Sequence, residues 1–151
     1  MGSVKLSIPK AELNKALSEI ERAKTKYEKN VANELFRGAL NIESGAKRNI
    51  ASHDFKTFTG NLRASIQSKI DKQNISADVV VNAHYGAYVE FGTGRYAASY
   101  LSKREPEEIA EASKFKGRGI KEHNMPQRPY FFPAYYAERP KIVERIKRVK
   151  I

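Results

Sequence analysis

Between Pro9 and Ile50 the chain holds one helical apolar period with no proline to interrupt it. Leu13, Leu17, Ile20, Tyr27, Val31, Leu35, Ile42, Ala46 and Ile50 recur at steps of three, four or seven. That spacing puts them on one face, and Lys, Glu, Asn and Arg fill the other. A helix of about 40 residues would run roughly 60 Å, longer than a domain of this size is wide. Its apolar face therefore needs a surface to cover it, either the rest of the fold or a neighbouring subunit. Gly38 and Gly45 each weaken the helix by about 1 kcal/mol against alanine and mark where it would kink. A two-stranded coiled coil is the other way to cover such a helix, but the flanking charges are irregular.

The remaining segments are shorter. Val4, Leu6 and Ile8 alternate with Lys5 and Ser7, predicting a strand over 3–8 that Pro9 ends. Ser52 to Phe58 reads as a connector. Thr59 is placed to cap a single helical turn that puts Leu62 and Ile66 on one side. Ile66, Ser68 and Ile70 then alternate as a strand, Lys72 to Asn74 turn, and Ile75 to Asn82 return as the second strand of a hairpin. A short helix is expected to end at Gly92, where glycine suits a left-handed cap. Residues 92–127 read as an extended loop carrying one helix, Pro106 to Phe115, with Glu107, Glu108 and Glu111 near its positive start. Pro126, Pro129 and Pro133 stiffen an aromatic segment that reads as an extended arm laid on a surface. A last helix begins near Pro140. The fold class is α+β: a long N-terminal helix packed on a small antiparallel β-sheet, with a C-terminal helix and a long inserted loop. At 151 residues the chain is expected to form a single domain over 1–151.

Few catalytic classes survive a residue-by-residue reading. Cysteine is absent, so thiol chemistry and disulfides are excluded. His53, His84 and His123 lie in no metal-binding spacing, and no nucleophile elbow occurs. Gly92-Thr93-Gly94 lacks the lysine and hydroxyl ending of a phosphate loop and reads as a tight turn. Glu90, between Val89 and Phe91, is either a general acid or a structural carboxylate that pairs an arginine or caps a turn. No second carboxylate stands near it in sequence, which favours the structural role. No apolar run reaches the roughly 18 residues of a membrane span, and no cofactor is expected.

Charge is the strongest compositional signal, a net +11. Arg139, Lys141, Arg145, Lys147, Arg148 and Lys150 face a single acid, Glu144, within 139–150. These six are candidate polyanion contacts, toward DNA phosphates or an acidic protein surface.

Three patterns in fixed order carry a resemblance. Thr59, Gly60, Leu62, Ser65 and Ile66 form the first. Tyr85, Tyr88, Val89, Glu90, Phe91, Gly92 and Thr93 form the second, with Gly86 where alanine is common. Arg128, Pro129, Pro133 and Ala134 form the third, with Tyr130 in place of phenylalanine. Behind a long amphipathic helix, they resemble the Hong Kong 97-type head–tail joining family of tailed phages, the neck or tail-completion proteins. Thr57-Phe58 stand where a proline and an aspartate often precede the first pattern.

The resemblance implies a non-enzymatic virion component, made in the bacterial host cytoplasm and placed at the head–tail junction. It would form a six- or twelvefold ring around the DNA channel and join the connector and head-closure side to the tail. DNA would pass without sequence-specific binding, and no membrane would be involved. Thr59, Gly60, Leu62, Glu90, Gly92, Thr93, Gly94, Pro129 and Pro133 would be the structural motif. A closed ring needs two different patches on each subunit. Candidates are Arg95, Tyr96, Tyr100 and Arg118 from the inserted loop, and Arg128, Tyr130, Phe131, Phe132, Tyr135 and Tyr136 from the arm. Arm and loop would order only on assembly. The alternative function is a basic DNA-binding module.

Overall fold

The computed structural model describes residues 9–52, 59–115 and 124–150. The strand expected at 3–8 and most of the 52–58 connector lie outside them. The apolar period of the N-terminal region forms one α-helix, α1, Lys10–Ser52, uninterrupted over 43 residues. Gly38 and Gly45 do not break it, because each is a contact point. A Cβ on Gly38 would collide with the Ile142 side chain, and one on Gly45 would lie 3.0 Å from the Ala134 Cβ. The glycines let a second helix approach closely, which offsets their poor helical propensity.

That second helix is α6, Phe131–Lys147, running antiparallel along the C-terminal half of α1. It begins nine residues before the expected Pro140 start. Pro140 lies inside it and forgoes one backbone bond, at an exposed position. Packing along α1 outweighs that loss. The same finding corrects the arm, since residues 131–136 are the opening turns of α6 rather than extended chain.

Between them come α2, Thr59–Ser65, then the hairpin of β1, Ile66–Asp71, and β2, Ser76–Val81. The strands are antiparallel, paired from Ile66 with Val81 to Asp71 with Ser76. The turn is one residue longer than expected. Ile75 belongs to it, at φ 50°, and Asp71 Oδ1 accepts from the backbone N–H groups of Gln73 and Asn74. Two strands alone are marginal in water. Here α1 supports them: the Ser68 backbone N–H donates to Glu43 at 2.7 Å, and the Ser68 hydroxyl donates to the Ala39 carbonyl at 3.2 Å.

The inserted region holds more structure than the sequence suggested. After α3, Gly86–Phe91, come α4, Gly94–Leu101, and α5, Pro106–Ser113. Only the second of these two helices was expected. The core has two parts. Ala46, Ile50, Leu62, Ile66, Val89, Tyr130 and Ala134 make the first, where α1, α2, β1, α3 and α6 meet. Phe91, Tyr100, Ala112 and Phe132 make the second, which ties α4 and α5 to α6.

Candidate functional site: a glutamate clasp at the root of the last helix

The N-terminal turn of any α-helix has backbone N–H groups with no partner inside the helix. At the start of α6 they are supplied from α3. Glu90 Oε2 accepts from the N–H groups of Tyr130 at 2.7 Å and Phe131 at 2.8 Å, and Oε1 accepts from Phe132 at 3.1 Å. Pro133 comes next and has no N–H to satisfy. No donor is therefore left over before the helix ladder begins, although Tyr130 offers no side-chain cap. The carboxylate also sits where the helix dipole favours negative charge. Burial pushes the Glu90 carboxyl above its ordinary value, the three N–H donors pull it back, and nearby Glu108 adds to the rise.

The chain on either side is locked to the same segment. The Arg128 N–H donates to the Val89 carbonyl at 2.8 Å, and the Thr93 N–H donates to the Met125 carbonyl at 2.9 Å. The Met125 N–H returns a bond to the Thr93 hydroxyl at 2.9 Å. Gly92 makes this approach possible. Its backbone lies at φ 75°, ψ −170°, a region reserved for glycine, and a Cβ there would lie 2.8 Å from both Gln127 N and Met125 O. Gly94 is also at positive φ, with the Asn124 side chain against it. Gly92-Thr93-Gly94 is thus a backbone-to-backbone seam, with Gly92 away from the left-handed cap conformation expected of it and Thr93 extended.

Gly86 shows the same economy of space. A Cβ would lie 2.7 Å from Val81 Cγ1 and 2.9 Å from the Tyr130 hydroxyl, which donates to the Gly86 carbonyl at 3.2 Å. Alanine, common in the related pattern, would press here on both Val81 and the Tyr130 hydroxyl. From the other side the Asn49 amide donates to the Tyr130 carbonyl at 2.9 Å. The second and third sequence patterns are therefore two halves of one clasp, and Leu62 and Ile66 of the first pack beneath it. A Cβ on Gly60 would meet nothing within 4 Å, and the Thr59 side chain lies outside the described residues.

The candidate interface residues divide by burial. Tyr100, Tyr130 and Phe132 are buried and belong to the two core clusters. Tyr96, Phe131, Tyr135 and Tyr136 are half-buried, and Arg95 and Arg128 are exposed. Arg118 lies outside the described residues. The Arg95 guanidinium sits 5.2 Å from the Tyr96 ring, and Arg104 sits 4.1 Å from that of Tyr100. The Tyr100 hydroxyl donates to buried Glu108 at 3.0 Å, and burial raises its ionisation far above the ordinary phenol range.

The basic stretch of α6 is largely engaged within the chain. Arg145 bridges Glu34 at 2.9 Å and Glu138 at 2.8 Å, and Asn41 donates to the same Glu138 oxygen at 2.9 Å. Arg148 pairs with Glu144 at 2.9 Å, Arg139 with Glu107 at 3.2 Å, and Lys141 approaches Glu138 to 3.8 Å. Lys147 and Lys150 are exposed. Sequence reasoning missed Glu34 and Glu138, and placed Glu108 at its helix start without foreseeing its burial against Tyr100. For Glu138 a signal existed, since it lies two helical turns before Arg145.

Chemically, this arrangement is a fastening. Both Glu90 oxygens are occupied by backbone donors, the pairing expected of a structural carboxylate. A cavity of about 350 Å³ adjoins it, lined by Val79, Val81, His84, Glu90, Phe131 and Phe132 among others. Among the described residues no three His, Cys, Asp or Glu side chains gather as metal ligands, and no helix is long and apolar enough to cross a membrane.

A family model described as "Bacteriophage HK97-gp10, putative tail-component" matches residues 11–92, more than half of the chain. The chain belongs to this HK97-gp10-like family. The match runs from α1 through the hairpin and stops at Gly92, so it holds the Glu90 half of the clasp and not the half at 125–132. Curated proteins and solved structures return no match. Membership in the HK97-gp10-like family supports a structural role for the chain as a phage tail component.

Proposed function

We propose that the chain is a structural virion protein of the phage head-to-tail junction, of the neck or tail-completion kind. In this reading it closes into a six- or twelvefold ring around the DNA channel and links the connector and head-closure side to the tail. Residues 1–151 act as one domain, made in the host cytoplasm and incorporated into the virion. The family match over 11–92 carries the reading. Arg95, Tyr96, Arg128, Phe131, Tyr135 and Tyr136 are exposed or half-buried, and aromatic and arginine side chains are the chemistry enriched where protein surfaces meet.

Native mass measurement and negative-stain microscopy of the purified protein, alone and with tails or connectors, test this. Rings that bind either structure are expected. A protein that forms no ring and joins neither structure would overturn the proposal.

The net charge of +11 favours a second reading, DNA binding. Its weight is reduced by the ion pairs that occupy Arg139, Arg145 and Arg148. Duplex affinity measured against salt separates the two. A log–log slope near −0.9 per contacted phosphate is the DNA outcome, and no measurable binding is the junction outcome.

A further inference from the structure

The first half of α1 stands clear of the body. Every residue from Lys10 to Arg22 is exposed. Leu13, Leu17 and Ile20 are 49%, 50% and 63% exposed. On the other half, α6 lies on α1 in antiparallel order, beside its apolar face: Ala134 on Gly45, Glu138 on Asn41, Ile142 on Gly38 and Arg145 on Glu34. It stops at Lys147. The face continues beyond that point as Val31, Tyr27, Lys24, Ile20, Leu17 and Leu13, in steps of four and three. This narrow stripe is the seam one helix offers to another, in contrast to the broader face that packs on a globular body.

A second copy's projecting helix fits the stripe. We infer that two chains pair through residues 10–33 of α1, antiparallel, about a twofold axis near Arg22. In that register Leu13 meets the partner's Val31, Leu17 meets the partner's Tyr27, and Ile20 meets the partner's Lys24. Three features select it. The length is self-complementary, because the partner helix begins opposite Glu34, where α6 leaves off. Lys24 is better placed than in a parallel pair, which would stack it on itself in the seam; here it lies beside the partner's Glu21, and the two lysines offset the contact of Glu21 with its own equivalent across the axis. Ala16 and Ala23 flank the seam and let the backbones approach. The contact is isologous, the same patch on both chains. It does not rest on the ring reading, and being twofold it pairs chains outside a one-way ring rather than closing one.

The chain has no cysteine, so single-cysteine variants report the geometry cleanly. The wild-type full chain at micromolar concentration is expected to show at least twice the 17.1 kDa chain mass by light scattering. Ile20→Glu changes an exposed residue. It is expected to weaken the association at least tenfold while the near-ultraviolet aromatic signal of the body stays unchanged. Under mild oxidation Ala23→Cys should cross-link pairs, since residue 23 faces its equivalent across the axis, and Leu17→Cys should not. Larger assemblies are judged by the same cross-links. A wild-type chain at single-copy mass, an Ile20→Glu variant as associated as wild type, or cross-linking through Leu17→Cys in place of Ala23→Cys would each overturn the inference. Failure to form rings would leave it untouched.

Discussion

Glu90 illustrates how one buried carboxylate can organise two segments 40 residues apart. Removing it in Glu90→Ala strands three N–H groups, two of them on buried residues. The expected loss is about 2–4 kcal/mol of unfolding free energy, above that of an ordinary cap because three donors lose their acceptor at once. Urea titration checks this, and a loss within about 0.5 kcal/mol of zero, the range of neutral surface changes, would show the clasp to be incidental. Ile75 illustrates the converse. A β-branched residue at φ 50° is strained. Ile75→Asn should raise stability by about 1 kcal/mol, the usual cost of left-handed backbone in a side chain of this kind. A lower melting temperature would mean that its partial burial matters more.

At the scale of elements, α1 and α6 depend on a glycine contact. Gly38→Ala gains helical propensity, about 1 kcal/mol, but forces its Cβ into Ile142 Cγ1 and Cδ1. Overpacking of this sort costs about 1–3 kcal/mol, so a net loss is expected. In an Ile142→Ala background the same change should become stabilising. A double-mutant cycle reads that reversal, and additive effects would show that the two positions do not touch. Helix α1 was legible because its period runs unbroken for many turns. The start of α6 was not, because its proline at 140 looks like a helix start and because its true cap, Glu90, is remote in sequence. Helix α4 was missed for a related reason. Its buried Tyr100 is held by Glu108 and by packing on Phe132, partners that no local pattern reveals.

For the whole molecule, charge pairing decides the response to acid. At Glu138 burial opposes ionisation, but Asn41, Arg145 and Lys141 together hold its carboxyl below the unfolded 4.5. Lys47 and Ser68 hold that of Glu43 down in the same sense. A lowered folded value contributes stability that is fully present above the unfolded value and is lost as pH falls through the folded one. Denaturant midpoints should therefore fall as pH drops through the carboxylate range, offset in part by Glu90, whose raised value works in the opposite sense. Arg145→Met should lower stability at neutral pH and flatten that acid limb. An acid limb identical to wild type would show that Arg145 does not sustain the shift.

The amino-acid order alone determined the long helix, the hairpin and the three patterns, because each is written in local spacing: helical period, alternation, and glycine or proline at turns. It also determined the family. What only the tertiary structure decided is how the patterns serve one another. Glu90 had two readings until Tyr130, Phe131 and Phe132 were seen to donate to it. Tyr130 and Phe132 stood among candidate contact residues until packing turned them inward. Six cations in a row looked available until Glu34, Glu107, Glu138 and Glu144 met four of them. Burial and pairing are properties of three-dimensional neighbours, and those neighbours come from segments far apart along the chain.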